Sequence, residues 1–268
     1  MIDISKIDYS TLDRLEAAKF LFNPRPEFDR TPAPGDAIRD MLIPVETDVV
    51  LGARFHISGK SNASILFFHG NGEIAADYND LGRLYTSIGV NFLPVGYRGY
   101  GRSTGTPTIT AMMRDAHTVF DYTRNWLAEN GHTGRFIVMG RSLGSASALE
   151  LLANYKNMID GAIIESGFAC SGTLLKLLNI TMKSVGLKEE DGFRNIDKIL
   201  SFDKPTLIIH AERDHIIPFA DGQALYDASP AQDKKLLEIP GANHNDIFLR
   251  GMQEYMQAIR WLVEKVNR

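Results

Sequence analysis

The sequence predicts an α/β protein with a mainly parallel, eight-stranded sheet covered by helices on both faces. Three observations carry that expectation. From residue 64 onward, short apolar runs of strand length alternate with longer helical patterns. Strands alternating with helices imply parallel pairing, with the crossover helices on both faces of the sheet. The chain has 268 residues, 44% hydrophobic and 23% charged, which suits one globular domain of this class.

Taken in order, residues 10–22 set Leu12, Leu15, Ala18, Phe20 and Leu21 among charges, an amphipathic helical pattern. Prolines at 24, 26, 32 and 34 make the following stretch an extended connector. Residues 1–40 are therefore expected to form a helix and a proline-rich connector packed on a main domain of residues 41–268. Two β-like runs, 41–45 and 49–55, are joined by a hairpin at 46–48, and residues 59–62 form a turn. Then come a strand at 64–68, a helix at 74–88, a strand at 90–95 and a helix at 111–128. A strand at 136–139 leads into a helix at 142–155. Three further strands are expected at 162–164, 206–209 and 235–239. A last helix, 245–266, carries Ile247, Phe248, Tyr255, Ile259, Trp261, Leu262 and Val266 on or near an apolar face. Residues 166–204 make a short cap-like insertion, too small for a separate lid. Its helix-like run, 174–183, is mostly apolar; most of that face is expected to pack on the domain, with part forming an apolar wall that would suit an acyl chain.

Composition narrows the function classes. The net charge is −4 and no long basic run occurs, so nucleic acid is not an expected partner. Cys170 is the single cysteine, which forbids an internal disulfide and fits a reducing compartment. No Cys/His group has zinc spacing, and no metal or cofactor is expected. The first twenty residues carry acidic groups and lack the apolar core of a secretory signal. No apolar stretch approaches membrane-spanning length. The expected location is the cytoplasm.

The chemistry-bearing motif is Gly140-Arg141-Ser142-Leu143-Gly144, between an apolar run and a small-residue helix. The G-x-S-x-G spacing has a mechanical reason. A serine on a sharp strand-to-helix turn needs a strained backbone to lift its hydroxyl clear of the sheet. Its neighbours two residues away must be small, because strand and helix nearly collide. The Leu143 amide then points at any oxyanion formed beside Ser142. His69-Gly70-Asn71-Gly72 follows the strand at 64–68, where a second donor is needed, and the Asn71 amide is the candidate. Asp214, just after the strand at 206–209, is the candidate acid, with Glu212 and Glu165 as alternatives. His244, between the last strand and the last helix, is the candidate base. His56, His69, His117, His132, His210 and His215 are not at the expected place. His69 and His210 read as braces for their loops. The order Ser142, Asp214, His244 has roughly 70 and then roughly 30 residues between its members, and is the order of nucleophile, acid and base in one large hydrolase class.

From residue 41 to residue 268 the sequence resembles the α/β-hydrolase superfamily. More narrowly it is similar to uncapped or lightly capped serine hydrolases related to the Bem46-like proteins and to prolyl-oligopeptidase-type catalytic domains. The elbow, the 69–72 turn and Gly96-Tyr97-Arg98-Gly99-Tyr100-Gly101-Arg102-Ser103 carry the resemblance. So do Asn195-Ile196-Asp197-Lys198-Ile199 leading into Pro205-Thr206-Leu207, and the Asp214 and His244 loops. The resemblance implies an α/β-hydrolase fold, and arginines at 98 and 102 that fix loops. Arg141, next to the serine, is read as a salt-bridge former, with contact to an acidic substrate group as the alternative. Residues and resemblance together lead to a carboxylesterase-like enzyme without cofactor. Its substrate would be a small ester, an acyl thioester or a lysolipid. The competing expectations are a peptidase or amidase acting on short peptides, and a binding protein that keeps the fold without turnover.

Overall fold

The inner strands collect into one sheet because each is too short to stand alone and too apolar to face water, while the two edge strands keep charged, partly exposed positions. The computed structural model describes residues 7–15, 21–28 and 37–268. The sheet order is β1-β2-β4-β3-β5-β6-β7-β8. Strands β1 (Ile38–Glu46) and β2 (Val49–His56) form an antiparallel hairpin, and β2 runs antiparallel to β4 (Asn91–Val95). From β4 through β3 (Ser64–Phe68), β5 (Phe136–Arg141), β6 (Gly161–Glu165), β7 (Thr206–Ala211) and β8 (Lys234–Ile239) every pairing is parallel. Pro44 is tolerated because β1 is an edge strand, and the register shifts there between Pro44 and Glu46.

Alternation along the strands divides the core in two. Leu66, Phe68, Val138, Ile164 and Ile208 face one side. There they meet Met112, Val119 and Phe120 of α3 (Ile109–Glu129), Leu149 and Leu152 of α4 (Gly144–Tyr155), and Leu225 of α7 (Phe219–Ala228). Ile65, Phe67, Ile137, Met139, Ile163 and Leu207 face the other side. Their partners are Tyr85 of α2 (Asn79–Ser87) and Tyr255, Ile259 and Leu262 of α8 (Ile247–Val266). Both faces are thus covered, which is why these strands read as continuous apolar runs. Among the described residues no helix is long and apolar enough to cross a membrane.

Two helical expectations differ in detail. Of the 10–22 pattern, α1 spans Ser10–Asp13 with Leu12 buried, while residues 16–20 lie outside the described residues. The apolar run at 174–183 is not one helix. α5 covers Ser171–Lys176, and the chain then turns at Asn179, whose φ is +58°, into a 3-10 turn at Met182–Val185. Leu174 and Leu175 are buried on the domain, whereas Leu177 is 45% exposed, so the run's apolar residues serve two surfaces instead of one helical stripe. α6 (Asn195–Leu200) is a short helix that the motif at 195–199 did not announce as one.

The β3, β4 and β5 arrangement places a reversal of strand order beside β3 and β5. In open parallel sheets the ligand crevice lies there, outside the carboxyl ends of the strands. The 69–72 loop leaves β3 at that end and Ser142 leaves β5 at the same end.

Candidate active site

Ser142 sits between β5 and α4 with φ +51°, a left-handed conformation costly for a residue with a Cβ. The flanking glycines make it affordable. A Cβ on Gly140 would lie 2.3 Å from the Gly144 carbonyl oxygen, and one on Gly144 would lie 2.1 Å from the Phe68 oxygen. Strand, turn and helix therefore close to a distance that only glycine permits. The Ser142 N–H donates to the Glu165 carbonyl at 2.9 Å, which pins the turn to the end of β6.

His244 reaches this serine from the loop between β8 and α8. Its Nε2 lies 3.0 Å from Ser142 Oγ, and its Nδ1 lies 2.7 Å from Asp214 Oδ2. With the proton on Nδ1 directed at Asp214, Nε2 is left to accept the serine hydroxyl. Asp214 Oδ1 accepts the Ile216 and Ile217 amides at 3.0 and 2.8 Å. Burial opposes ionisation of Asp214. The hydrogen bond and charge of His244, together with the two amides, outweigh it and hold the carboxyl below its ordinary range. His210, fully buried, bonds the Ile217 carbonyl through Nε2 at 2.9 Å and so steadies the same turn.

The two alternative acids lie elsewhere. Glu165 accepts from Tyr255 at 2.7 Å and pairs with Arg141 at 3.2 Å. Glu212 accepts the Gly241 amide at 2.5 Å. Asp214 is the carboxylate that bonds His244.

Asn71 and Leu143 both line the cavity that contains Ser142, and among the described residues neither backbone N–H donates to a protein acceptor. The 69–72 loop is held from several directions. Its Gly70 N–H donates to Glu73 Oε2 at 2.6 Å, and the Tyr97 hydroxyl donates to the His69 carbonyl at 2.6 Å. His69 is packed edge-on against Tyr97 and braces this loop. Arg141 joins three loops: Nε donates to Glu73 at 3.0 Å, Nη1 to Glu165 at 3.2 Å, and Nη2 to the His244 carbonyl at 2.9 Å. Burial opposes the Arg141 charge, but Glu73 and Glu165 keep it fully protonated. Arg98 bonds Asp115 at 2.6 Å and Glu46 at 2.8 Å, and Arg102 pairs with Asp40 at 2.8 Å. Both arginines tie the 97–103 stretch to its surroundings. Glu73 escaped the sequence reading, although a carboxylate three residues after Gly70 is placed to accept that glycine's amide.

The cavity over Ser142 has a volume of about 350 Å³. Leu21, Leu174, Leu177, Leu178 and Ile216 supply apolar walls, while Gly70, Asn71, Glu73, His244 and Asn245 gather near the serine. This is the usual make-up of a small-molecule site, largely apolar with few convergent polar groups. Among the described residues no cluster of His, Cys, Asp or Glu could hold a metal ion.

Comparison with known proteins adds a family to this geometry. Residues 59–187 match the family described as serine aminopeptidase, S33. Human alpha/beta hydrolase domain-containing protein 17B is 31% identical over 216 residues, spanning 78% of this chain and 68% of that protein. The yeast uncharacterized membrane protein YNL320W, from Saccharomyces cerevisiae, is 29% identical over 185 residues, spanning 68% of this chain and 63% of that protein. Among solved structures, the Pyrococcus furiosus esterase Pf2001 superposes with a TM-score of 0.72 at 19% identity, over 91% of this chain and 99% of that one. Est1E from Butyrivibrio proteoclasticus, solved with ferulic acid bound, gives 0.71 at 18% identity, over 85% of this chain and 100% of that one. With the sheet order above and relatives at this identity and coverage, the chain belongs to the α/β-hydrolase superfamily.

Proposed function

We propose that the protein is a serine hydrolase that cleaves carboxylic esters, with acyl thioesters and lysolipids as related substrates, through an acyl-enzyme on Ser142. The observation that carries the reading is the hydrogen-bonded series from Ser142 Oγ through His244 to Asp214, at 3.0 and 2.7 Å, on the floor of a largely apolar cavity. His244 Nε2 takes the serine proton as Oγ attacks the carbonyl carbon. The Asn71 and Leu143 amides receive the oxyanion, where preorganised donors contribute most to rate. His244 then returns the proton to the leaving oxygen or sulfur, and the acyl group stays on Ser142. Water enters and loses a proton to His244 as its oxygen bonds the acyl carbon. The bond to Ser142 Oγ breaks, His244 returns the proton to Oγ and the carboxylic acid leaves, while Asp214 stabilises each imidazolium. The chemistry asks for no metal or organic cofactor.

An ester or thioester suits the site better than a peptide amine terminus. An aminopeptidase needs a free carboxylate to hold the substrate's α-ammonium. Glu73 lines the cavity, but its charge is already paired with Arg141 and it accepts from Gly70 and Tyr78. The leucines opposite Ser142 offer surface to a hydrocarbon instead. A cytoplasmic setting accompanies this proposal, supported by a lone cysteine that has no partner in the chain.

The test is labelling by a fluorophosphonate probe, with the modified peptide identified by mass, alongside turnover on ester, thioester and aminoacyl-amide panels. Labelling confined to Ser142, and a loss of at least about 10⁴-fold in turnover for Ser142→Ala, are expected. An unlabelled wild type, or Ser142→Ala with unchanged turnover, rejects the assignment. Amidase activity above esterase activity would reverse the substrate order.

A further inference from the structure

Residues 21–27 precede the sheet in sequence, yet they contact both the 69–72 loop, which lines the cleft, and the 97–103 stretch. Leu21, 5% exposed, lines the cavity over Ser142. The Asn23 N–H is shared between Asn71 Oδ1 at 2.8 Å and Tyr100 Oη at 2.7 Å, and the Tyr100 hydroxyl itself donates to Asn71 Oδ1 at 2.6 Å. Arg25 Nε donates to the Gly72 carbonyl at 2.7 Å, and its guanidinium pairs with Asp77. The segment is anchored in turn. Gly101 N–H donates to the Arg25 carbonyl at 2.8 Å, Pro26 bridges Gly101, and Glu27 pairs with Arg54 at 3.0 Å.

These contacts fall on the Asn71 side chain and on the carbonyl of the next residue. Gly70 and Gly72 flank Asn71, and Gly72 has φ +75°, so the loop has little stiffness of its own. Asn71 Oδ1 accepts from Asn23 of the strap and from Tyr100, which itself accepts from Asn23. That holds the side chain against Asn23 and Tyr100, while Asn71 lines the cavity and its backbone N–H has no protein acceptor among the described residues.

We propose that this strap is a working part of the active site. Asn23 and Arg25 are positioning residues that fix the 69–72 loop so that the Asn71 N–H faces the developing oxyanion. Leu21 closes the apolar end of the cleft and limits the acyl chain it accepts. The proposal rests on the assignment of Ser142 and the Asn71 amide made above.

The experiment uses the full chain, a series of p-nitrophenyl esters of increasing acyl length, and the fluorophosphonate probe. Arg25→Ala is expected to lower kcat roughly ten- to a hundredfold, the effect of a misplaced oxyanion donor. KM should stay within about twofold, because the apolar walls that hold the ground state are untouched. The pH profile of kcat/KM should keep its shape, since Ser142, His244 and Asp214 are not altered. Arg25→Lys should recover part of the loss. Asn71→Ala should show the same kcat defect, and the double variant should be no worse than either single, because both release one loop. Leu21→Trp should move the preferred ester to shorter chains.

An Arg25→Ala enzyme with wild-type kcat, on a wild type that labels at Ser142, overturns the strap's role and leaves the serine assignment standing. A kcat loss accompanied by a shifted pH profile overturns it as well, since the disturbance would then reach His244. A wild type unlabelled at Ser142 overturns both. Should Arg25→Ala fail to fold, Leu21→Trp decides: unchanged chain-length preference rejects the proposal.

Discussion

A carboxylate at the end of β7 serves the imidazole only if it stays ionised inside the protein, and Asp214 is built for that. Two backbone amides and His244 outweigh the cost of its burial. Its depressed pKa fixes the sign of a pH effect. The stabilisation it contributes is complete above the ordinary carboxylate value of 3.8 and is lost as pH falls through its lower folded value. Asp214→Asn should keep the fold and cost roughly 10⁴-fold in kcat, because the amide favours the wrong imidazole tautomer. Steady-state kinetics on the best ester, with circular dichroism of the same sample, checks this. Ser142, Asp214 and His244 could be picked out of the sequence because their order along the chain is imposed by the order of strands. Glu73 could not. Its Gly70 and Tyr78 partners are local, but its charge partner Arg141, 68 residues on, is brought to it by tertiary packing, and the local spacing alone does not mark a glutamate of the site.

The elbow shows what one element demands of its neighbours. Gly144 has no room for a methyl group, since the nearest obstacles are the Phe68 and His69 carbonyl oxygens, which a side-chain rotation cannot move. Gly144→Ala should destabilise the protein by about 1–3 kcal/mol, with loss of Ser142 labelling in the fraction that folds. Urea unfolding and probe labelling of the same preparation measure both. Strands and long helices were legible because their periodicity is enforced along their whole length. α3 even carries its start signal, with Thr108 Oγ1 accepting the Ala111 amide at 3.0 Å. The 174–183 run misled for the opposite reason. The division of its leucines between the domain and the cleft wall is expected from the sequence, but apolar content alone cannot show that the helix breaks inside the run. Asn179 in a left-handed conformation was the breaker within it.

At the scale of the molecule, a buried polar cluster ties the beginning of the chain to the helix behind the nucleophile. Lys198 of α6, fully buried, pairs with Glu150 of α4 at 2.8 Å and donates to Tyr9 Oη at 2.7 Å. The Tyr9 hydroxyl donates to Glu150 at 2.5 Å, and His117 of α3 lies 3.3 Å from the same carboxylate. Burial opposes the Glu150 charge, but Lys198 and the hydrogen bonds from His117, Lys198 and Tyr9 outweigh it and lower its pKa to about 2. Its contribution to stability is present above the ordinary value of 4.5 and is lost as pH falls through about 2. Lys198→Met should cost about 3–5 kcal/mol by stranding Glu150, and Lys198→Met/Glu150→Leu should regain most of it. Urea melts at neutral pH, repeated on the acid side of pH 4.5, test both statements.

The long reach between Ser142 and His244, 102 residues apart, also bears on the protein's birth. A nascent chain that has left the ribosome as far as Asp214, just beyond β7, holds the elbow and that carboxylate but lacks His244. Its serine has the reactivity of any other alcohol. Under the proposed mechanism Ser142 gains its base only after β8 is made and the following loop folds back, so a chain ended before His244 is expected to show no turnover of esters.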